Sequence, residues 1–268
     1  MPQNAVLFDI DVATGIATVT LNRTEAINVL DNTLCTHLRD ALCQAELNSD
    51  IRAVVVQGAW PHFAAGGDIK GFHAKLEHVP TERRQWFEKI IASAHESIIQ
   101  IWRMEKPVLA SVQGAVAGFG LSLMNSCDLA IAADDAYFTM ASCNIGVSPH
   151  GGSTYGLPRI VGLKRAMEIA LLGERFNARQ ALELGLINRV VPVTALADSV
   201  RSMAMRLAAG PTRALGRTKR LLNDSLNSTL IEQLLAEQES FACCAMEADF
   251  ECGVRAFVEK RKPVFKGR

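Results

Sequence analysis

The sequence predicts an α/β fold, and three observations carry the prediction. Short β-rich apolar runs alternate with helically patterned stretches up to about Pro192. Two of these runs, ending near Gln57 and Val112, are followed by turns crowded with glycine and alanine. Beyond Pro192 the β-rich runs stop and the remaining segments have helical spacing. The chain therefore divides softly into a mixed core, residues 1–192, and a helical C-terminal region, residues 193–268.

In chain order, residues 5–12 and 16–21 predict two strands joined as a hairpin across Ala13-Thr14-Gly15. Residues 29–47 predict a helix, with Leu30, Leu34, Leu38 and Leu42 on one face and Asp31 near its start. Residues 52–57 predict a strand around Val54-Val55-Val56, ended by Gly58 and then by the small-residue turn Phe63-Ala64-Ala65-Gly66-Gly67-Asp68-Ile69-Lys70. A helix carrying His95 leads to Lys106-Pro107, which opens a buried strand over 108–112. Gly114, Gly118 and Gly120 punctuate the turn after it, and a helix is expected over 121–127. The rest of the chain predicts helices over 165–172, 178–184, 195–209, 211–226, 230–246 and 250–260.

A strand, a glycine turn and a helix N-terminus together present unpaired N–H donors, which favour negative charge on a ligand. The first turn, around Gly66-Gly67, has the same logic as the second. Two donors converging on one oxygen are what a thioester carbonyl needs to become an enolate, and turns on neighbouring strands supply one each. The plainer alternative is that both glycine clusters are packing turns. A dinucleotide fingerprint is disfavoured, because Leu123 stands where Gly118-Phe119-Gly120 would need its third glycine.

Composition narrows the function classes. A chain of 268 residues with 49% apolar content buries a full core. Its mean hydropathy is mildly positive, at +0.13. The 28 basic and 28 acidic residues cancel, and only the tail Lys260-Arg261-Lys262 with Lys266 is locally basic. Neither nucleic acid nor a membrane surface is indicated as a partner. Seven cysteines without a CxxC pair or Cys/His metal spacing are expected to be reduced core thiols. With no export signal and no apolar run of membrane-spanning length, a cytoplasmic location is expected.

Specific segments resemble the enoyl-CoA hydratase/isomerase (crotonase) family. They are Phe63 to Lys70, Lys106-Pro107-Val108 with Gln113-Gly114, Cys127 to Ala132, and Leu157 to Gly162. Leu21-Asn22-Arg23 with Ala26-Ile27-Asn28, the stretch 178–191 and the ending Phe257 to Pro263 are similar too. The resemblance implies a crotonase-like spiral of ββα turns, a C-terminal helical trimerisation region, a homotrimer or dimer of trimers, and an acyl-CoA thioester substrate. It implies no separate cofactor, since coenzyme A arrives as part of the thioester. Carried over by position, the oxyanion-hole N–H groups belong to Gly67 and Phe119, the latter replacing the family's middle glycine. Arg23, Ala26, Ala65, Asp68 and Ile69 match positions that line the CoA groove, and Phe265 and Lys266 match positions that reach a ligand from a neighbouring helix. Asp68 and Asp128 also read as caps of a turn and a strand end.

The family's two hydratase glutamates are matched here by Ser122 and Ser142, whose hydroxyls do not act alone as acid or base near neutral pH. A third position, which carries a carboxylate in several isomerases, holds His150 in Ser148-Pro149-His150-Gly151-Gly152. An imidazole with an ordinary pKa of about 6.5 accepts a proton near neutrality. The alternative is a histidine capping the helix that starts near Ser153. His95 is a second candidate by similarity to a dehalogenase of the family; alternatively it only shares a helix face with Trp86, Ile90 and Ile98. Double-bond isomerisation of an enoyl-CoA with His150 as base is the leading expectation. A hydratase with a non-standard acid/base and an acyl-CoA binding protein without turnover are the others.

Overall fold

The computed structural model describes residues 4–268. Strands β1 (Val6–Asp11) and β2 (Ile16–Leu21) form the expected antiparallel hairpin, closed by Thr14 and Gly15 N–H groups on the Asp11 carbonyl. Helix α1 (Asn32–Leu47) starts three residues later than its periodicity suggests. Asp31 caps it, accepting the Leu34 N–H at 2.8 Å, and Leu30 is drawn out to donate to the Gly66 carbonyl. The apolar spacing of Leu30 reports burial rather than helix, since it is buried beside Leu34 and Leu38.

Strand β3 (Ala53–Gly58) follows, then α2 (Ile69–Ala74), α3 (Pro80–Arg103), β4 (Val108–Val112), β5 (Ala115–Ala117) and α4 (Phe119–Ser126). The three-residue β5 lies inside what the sequence presents as one glycine turn. Helix α4 starts at Phe119, two residues before the expected position, because Gly118 makes the turn that β5 requires. Then come β6 (Leu129–Ala133), β7 (Tyr137–Thr139), α5 (Ser153–Val161), α6 (Leu163–Leu172), β8 (Phe176–Asn177), α7 (Ala178–Glu183) and β9 (Arg189–Val191). Four helices end the chain: α8 (Leu196–Ala208), α9 (Thr212–Ser225), α10 (Leu230–Cys244) and α11 (Ala248–Val258).

The large sheet has the order β1-β2-β3-β4-β6-β9, parallel from β2 onward, and the small one β5-β7-β8. The chain climbs in strand–strand–helix turns: β4, β5, α4, then β6, β7, α5, with β3, a single bridge at Ala64 and α3 as the turn before them. Each turn gives one strand to each sheet, the spiral of ββα units expected from the resemblance. The large sheet is covered on both faces, which explains its continuous apolar runs. Val54 and Val56 of β3 belong to the core containing Leu34, Leu38 and Ala94 of α1 and α3; Ala53 and Val55 face Leu196, Val200 and Ala204 of α8. The sheet's second face is thus closed from beyond residue 192. In contrast α10 buries none of its residues, and Leu230 (74% exposed), Phe241 and Phe257 stand out from the C-terminal helices.

Candidate active site

Both glycine turns converge on one place. The first is stitched to β5: Phe63 N–H donates to Gln113 O, Ala64 N–H to Ala115 O, and Ala117 N–H to Ala64 O, all at 2.9–3.0 Å. From the other side Asn28, 2% exposed, braces it by donating Nδ2 to the carbonyls of His62 (2.9 Å) and Phe63 (3.0 Å). Gly66 and Gly118 both have positive φ, +96° and +50°, and a Cβ on Gly118 would sit 3.5 Å from the Cα of Gly66. The two turns are therefore in van der Waals contact, and a side chain at Gly66 would crowd the Ala117 carbonyl at 3.1 Å. Among the described residues the Gly67 N–H has no acceptor, and Phe119, first residue of α4, has none within its helix. Two uncommitted donors thus lie on touching turns, at the positions where the sequence expects an oxyanion-type site.

They border a cavity of about 510 Å³ lined by Ala65, Ile69, Phe72, Phe87, Ile90, Ile145 and Val147, among others. Its polar side chains are Ser142, Asn144, Ser148 and His150, so His150 is the only titratable group on the described wall. Nδ1 of His150 is buried without a hydrogen-bond partner, which leaves Nε2 as the nitrogen able to meet a ligand. The Phe119 ring stacks on the imidazole at 5.6 Å between centroids and 17° between planes. Burial, and secondarily a charge on His95, hold His150 below the ordinary imidazole pKa, so the neutral ring is favoured.

Of the other candidates, Ser142 lines the cavity, its Oγ contacting only Met140 Sδ at 3.9 Å. Ser122 lies behind the wall, donating Oγ to the His150 carbonyl at 2.8 Å and lying 2.5 Å from Ser153 Oγ. His95, on α3, is also outside the lining; its Nε2 accepts the Gly151 N–H at 3.1 Å. Ala65 and Ile69 line the cavity. Ala65 N–H donates to Ile27 O, which brings the turn at Thr24–Ala26 against it, and Arg23 is held beside this turn by Asp31 (3.0 Å) and the Val29 carbonyl. Asp68 caps α2 through Gly71 N–H. Phe265 and Lys266 are not brought to this cavity within the chain. The Phe265 ring lines a separate 280 Å³ space beside Gly253, its carbonyl accepts from Arg52, and Lys266 N–H donates to Asp249. Asp128 ties β4 to β6 and α9, accepting Val108 N–H (2.7 Å) and pairing with Lys219 (2.9 Å). Asn28 and the Gly151 N–H escape the sequence reading, because neither residue type nor spacing signals a brace.

All seven cysteines are free, but they are not all the core thiols expected: only Cys35 is buried, where burial pushes it up to about 12, while Cys143 is exposed and the other five are half-buried. Among the described residues there is no cluster of His, Cys, Asp and Glu suited to a metal, and no helix long and apolar enough to cross a membrane.

Comparison with known proteins agrees with this fold. The family model for enoyl-CoA hydratase/isomerase matches residues 11–268. A 1,2-epoxyphenylacetyl-CoA isomerase of Escherichia coli strain K12 is 35% identical over 96% of this chain and 97% of its own. A trans-2-decenoyl-[acyl-carrier-protein] isomerase of Streptococcus mutans is 29% identical over 98% of both chains. The crystal structure of an enoyl-CoA hydratase from Polaromonas sp. JS666 superposes with a TM-score of 0.91 at 32% identity, covering 97% of this chain and 99% of that one. With touching glycine turns on a ββα spiral and a match along nearly its whole length, the chain belongs to the enoyl-CoA hydratase/isomerase family and has the crotonase fold.

Proposed function

We propose that the protein is an enoyl-CoA isomerase in which His150 moves one proton. The observation that carries the reading is that His150 is, among the described residues, the single titratable side chain on the cavity into which the Gly67 and Phe119 N–H groups open. The thioester oxygen of a 3-enoyl-CoA accepts both N–H groups, and neutral His150 Nε2 removes a proton from the carbon beside the carbonyl. Negative charge spreads from the oxygen into the conjugated double bond, and the two donors hold it. His150 then returns the proton at the far carbon, giving the 2-enoyl-CoA with no net change in atoms. Water activation by paired carboxylates finds no carboxylate on the described wall, which favours isomerisation over hydration. Coenzyme A enters only as part of the thioester, with Arg23, Ala26, Ala65, Asp68 and Ile69 along its path.

The test is turnover of 2-enoyl-, 3-enoyl- and dienoyl-CoAs with solvent deuterium incorporation, in wild type, His150→Gln and His150→Asp. Removing a general base lowers turnover about 10²–10⁴-fold, and aspartate restores part of it. Folded His150→Gln with wild-type exchange, or a wild type that binds every thioester and turns none over, would overturn the proposal.

A further inference from the structure

The peptide group linking His150 to Gly151 is held from both ends. Its carbonyl accepts Ser122 Oγ–H at 2.8 Å, and its N–H donates to His95 Nε2 at 3.1 Å. Ser122 comes from α4 and is 2% exposed; His95 comes from α3. The pair therefore ties a single peptide plane to two helices of the core. The plane needs such a tie, because it precedes two successive residues in left-handed conformation, Gly151 at φ +71° and Gly152 at +80°, where the backbone has few restraints of its own. A Cβ on Gly151 would lie 2.8 Å from Ser122 Cβ and 2.9 Å from the Phe119 ring, so the segment lies flat against α4.

We propose that His95 and Ser122 are positioning residues that clamp the His150–Gly151 peptide and so aim the His150 imidazole at the cavity. The clamp rests on the assignment of His150 as base. Neither clamp residue lines the cavity, so neither handles the transferred proton. The geometry also fixes a tautomer. An Nε2 that accepts a hydrogen bond carries no proton, so the proton of neutral His95 sits on Nδ1. His95 is thereby excluded as a base acting through Nε2, and burial, which disfavours its charged form, keeps the accepting lone pair available. Ser122, at a position where hydratases of the family carry a glutamate, acts here on the backbone instead of on substrate.

The first experiment uses wild-type protein labelled with ¹⁵N-histidine, read by long-range nitrogen–proton correlation NMR above pH 7.5, with His95 assigned from its loss in His95→Gln. The expected result is the Nδ1–H tautomer for His95; an Nε2–H tautomer overturns the clamp. The second measures kcat, KM and thermal midpoint for His95→Leu, His95→Gln and Ser122→Ala. Misaiming a base costs turnover more than binding, so His95→Leu should lose roughly 10- to 100-fold in kcat with KM near the wild-type value. Gln offers Gly151 an amide oxygen and should recover most of that loss. Wild-type kcat in His95→Leu, or a His95→Gln as impaired as His95→Leu, overturns the clamp. In a His150→Gln background, His95→Leu should have no further effect on residual turnover; a further loss shows that His95 acts by another route and also overturns it. If His150→Gln itself keeps wild-type turnover, the isomerase assignment fails, while the tautomer result still judges the hydrogen bond by itself.

Discussion

Replacing Asn28 tests how far the site depends on one brace outside it. Asn28 accepts the Arg23 N–H at 2.8 Å and donates to the carbonyls of His62 and Phe63 at 2.9 and 3.0 Å. Alanine deletes these three bonds, together with a longer one to Ala59 O, and strands groups that water reaches poorly, at roughly 1 kcal/mol for each of the three short ones. Asn28 also sits at φ +54°, where alanine pays about 1 kcal/mol that asparagine tolerates better. The sum is about 4 kcal/mol, which for a chain of this size lowers the thermal midpoint by about 10 °C. Asn28→Gly loses the same bonds but not the φ penalty, and after allowing for the greater freedom of unfolded glycine it should be about 0.5 kcal/mol more stable than Asn28→Ala. Both variants should lose kcat, because the braced segment carries the turn that presents Gly67. Calorimetry and turnover on the three proteins decide it. A midpoint for Asn28→Ala within about 2 °C of wild type, or a glycine variant less stable than the alanine one, refutes the reasoning.

Gly66→Ala forces a Cβ to 3.1 Å from the Ala117 carbonyl at φ +96°, so the turns should separate and turnover should fall at least about tenfold in a folded protein; steady-state kinetics and circular dichroism read both. Both His95 and His150 titrate below the ordinary imidazole value of about 6.5, so the unfolded chain binds more protons than the fold as pH falls through that value. Stability from this source is complete above pH 6.5 and lost on acidification, and His95→Gln/His150→Gln should flatten the difference between urea midpoints at pH 7.5 and 5. Lys219→Met leaves Asp128 buried without its cation and should cost about 3 kcal/mol in urea unfolding. The apolar side chains standing out from α10 and α11 should be covered by other copies, so sedimentation should give a trimer or its multiple at micromolar concentration, and Phe257→Glu should shift it toward monomer.

How much was legible follows from what each part of the site is made of. Strands β2 and β4 are bounded by the same residues that their apolar runs mark, because a strand buried on both faces writes its limits directly into hydropathy. Helix α1 was misplaced at its start because Leu30 obeys helical spacing while serving a bridge to the first glycine turn. Strand β5 was invisible: three residues, Ala115, Val116 and Ala117, carry no period, and only its long-range ladder to Ala64 and β7 makes it a strand. The candidate oxyanion donors are backbone atoms, so no side chain announces them; their traces are Gly66 and Gly118, whose positive φ lets two turns touch.

His150 illustrates a different limit. Residue type and family position suggest a base, and the same residue type suggests a helix cap; the helix beginning at Ser153 has no side-chain cap, and the His150 ring lies on the cavity wall with Nδ1 buried and unpartnered. For His95 the same criterion points the other way, because its Nε2 already holds Gly151. The two histidines that the sequence offers, His150 ahead of His95, therefore differ in one contact, the Gly151 N–H that His95 Nε2 already holds. A residue's chemistry limits what it can do, but the partner already occupying its lone pair decides what it does, and that partner is 56 residues away in the chain.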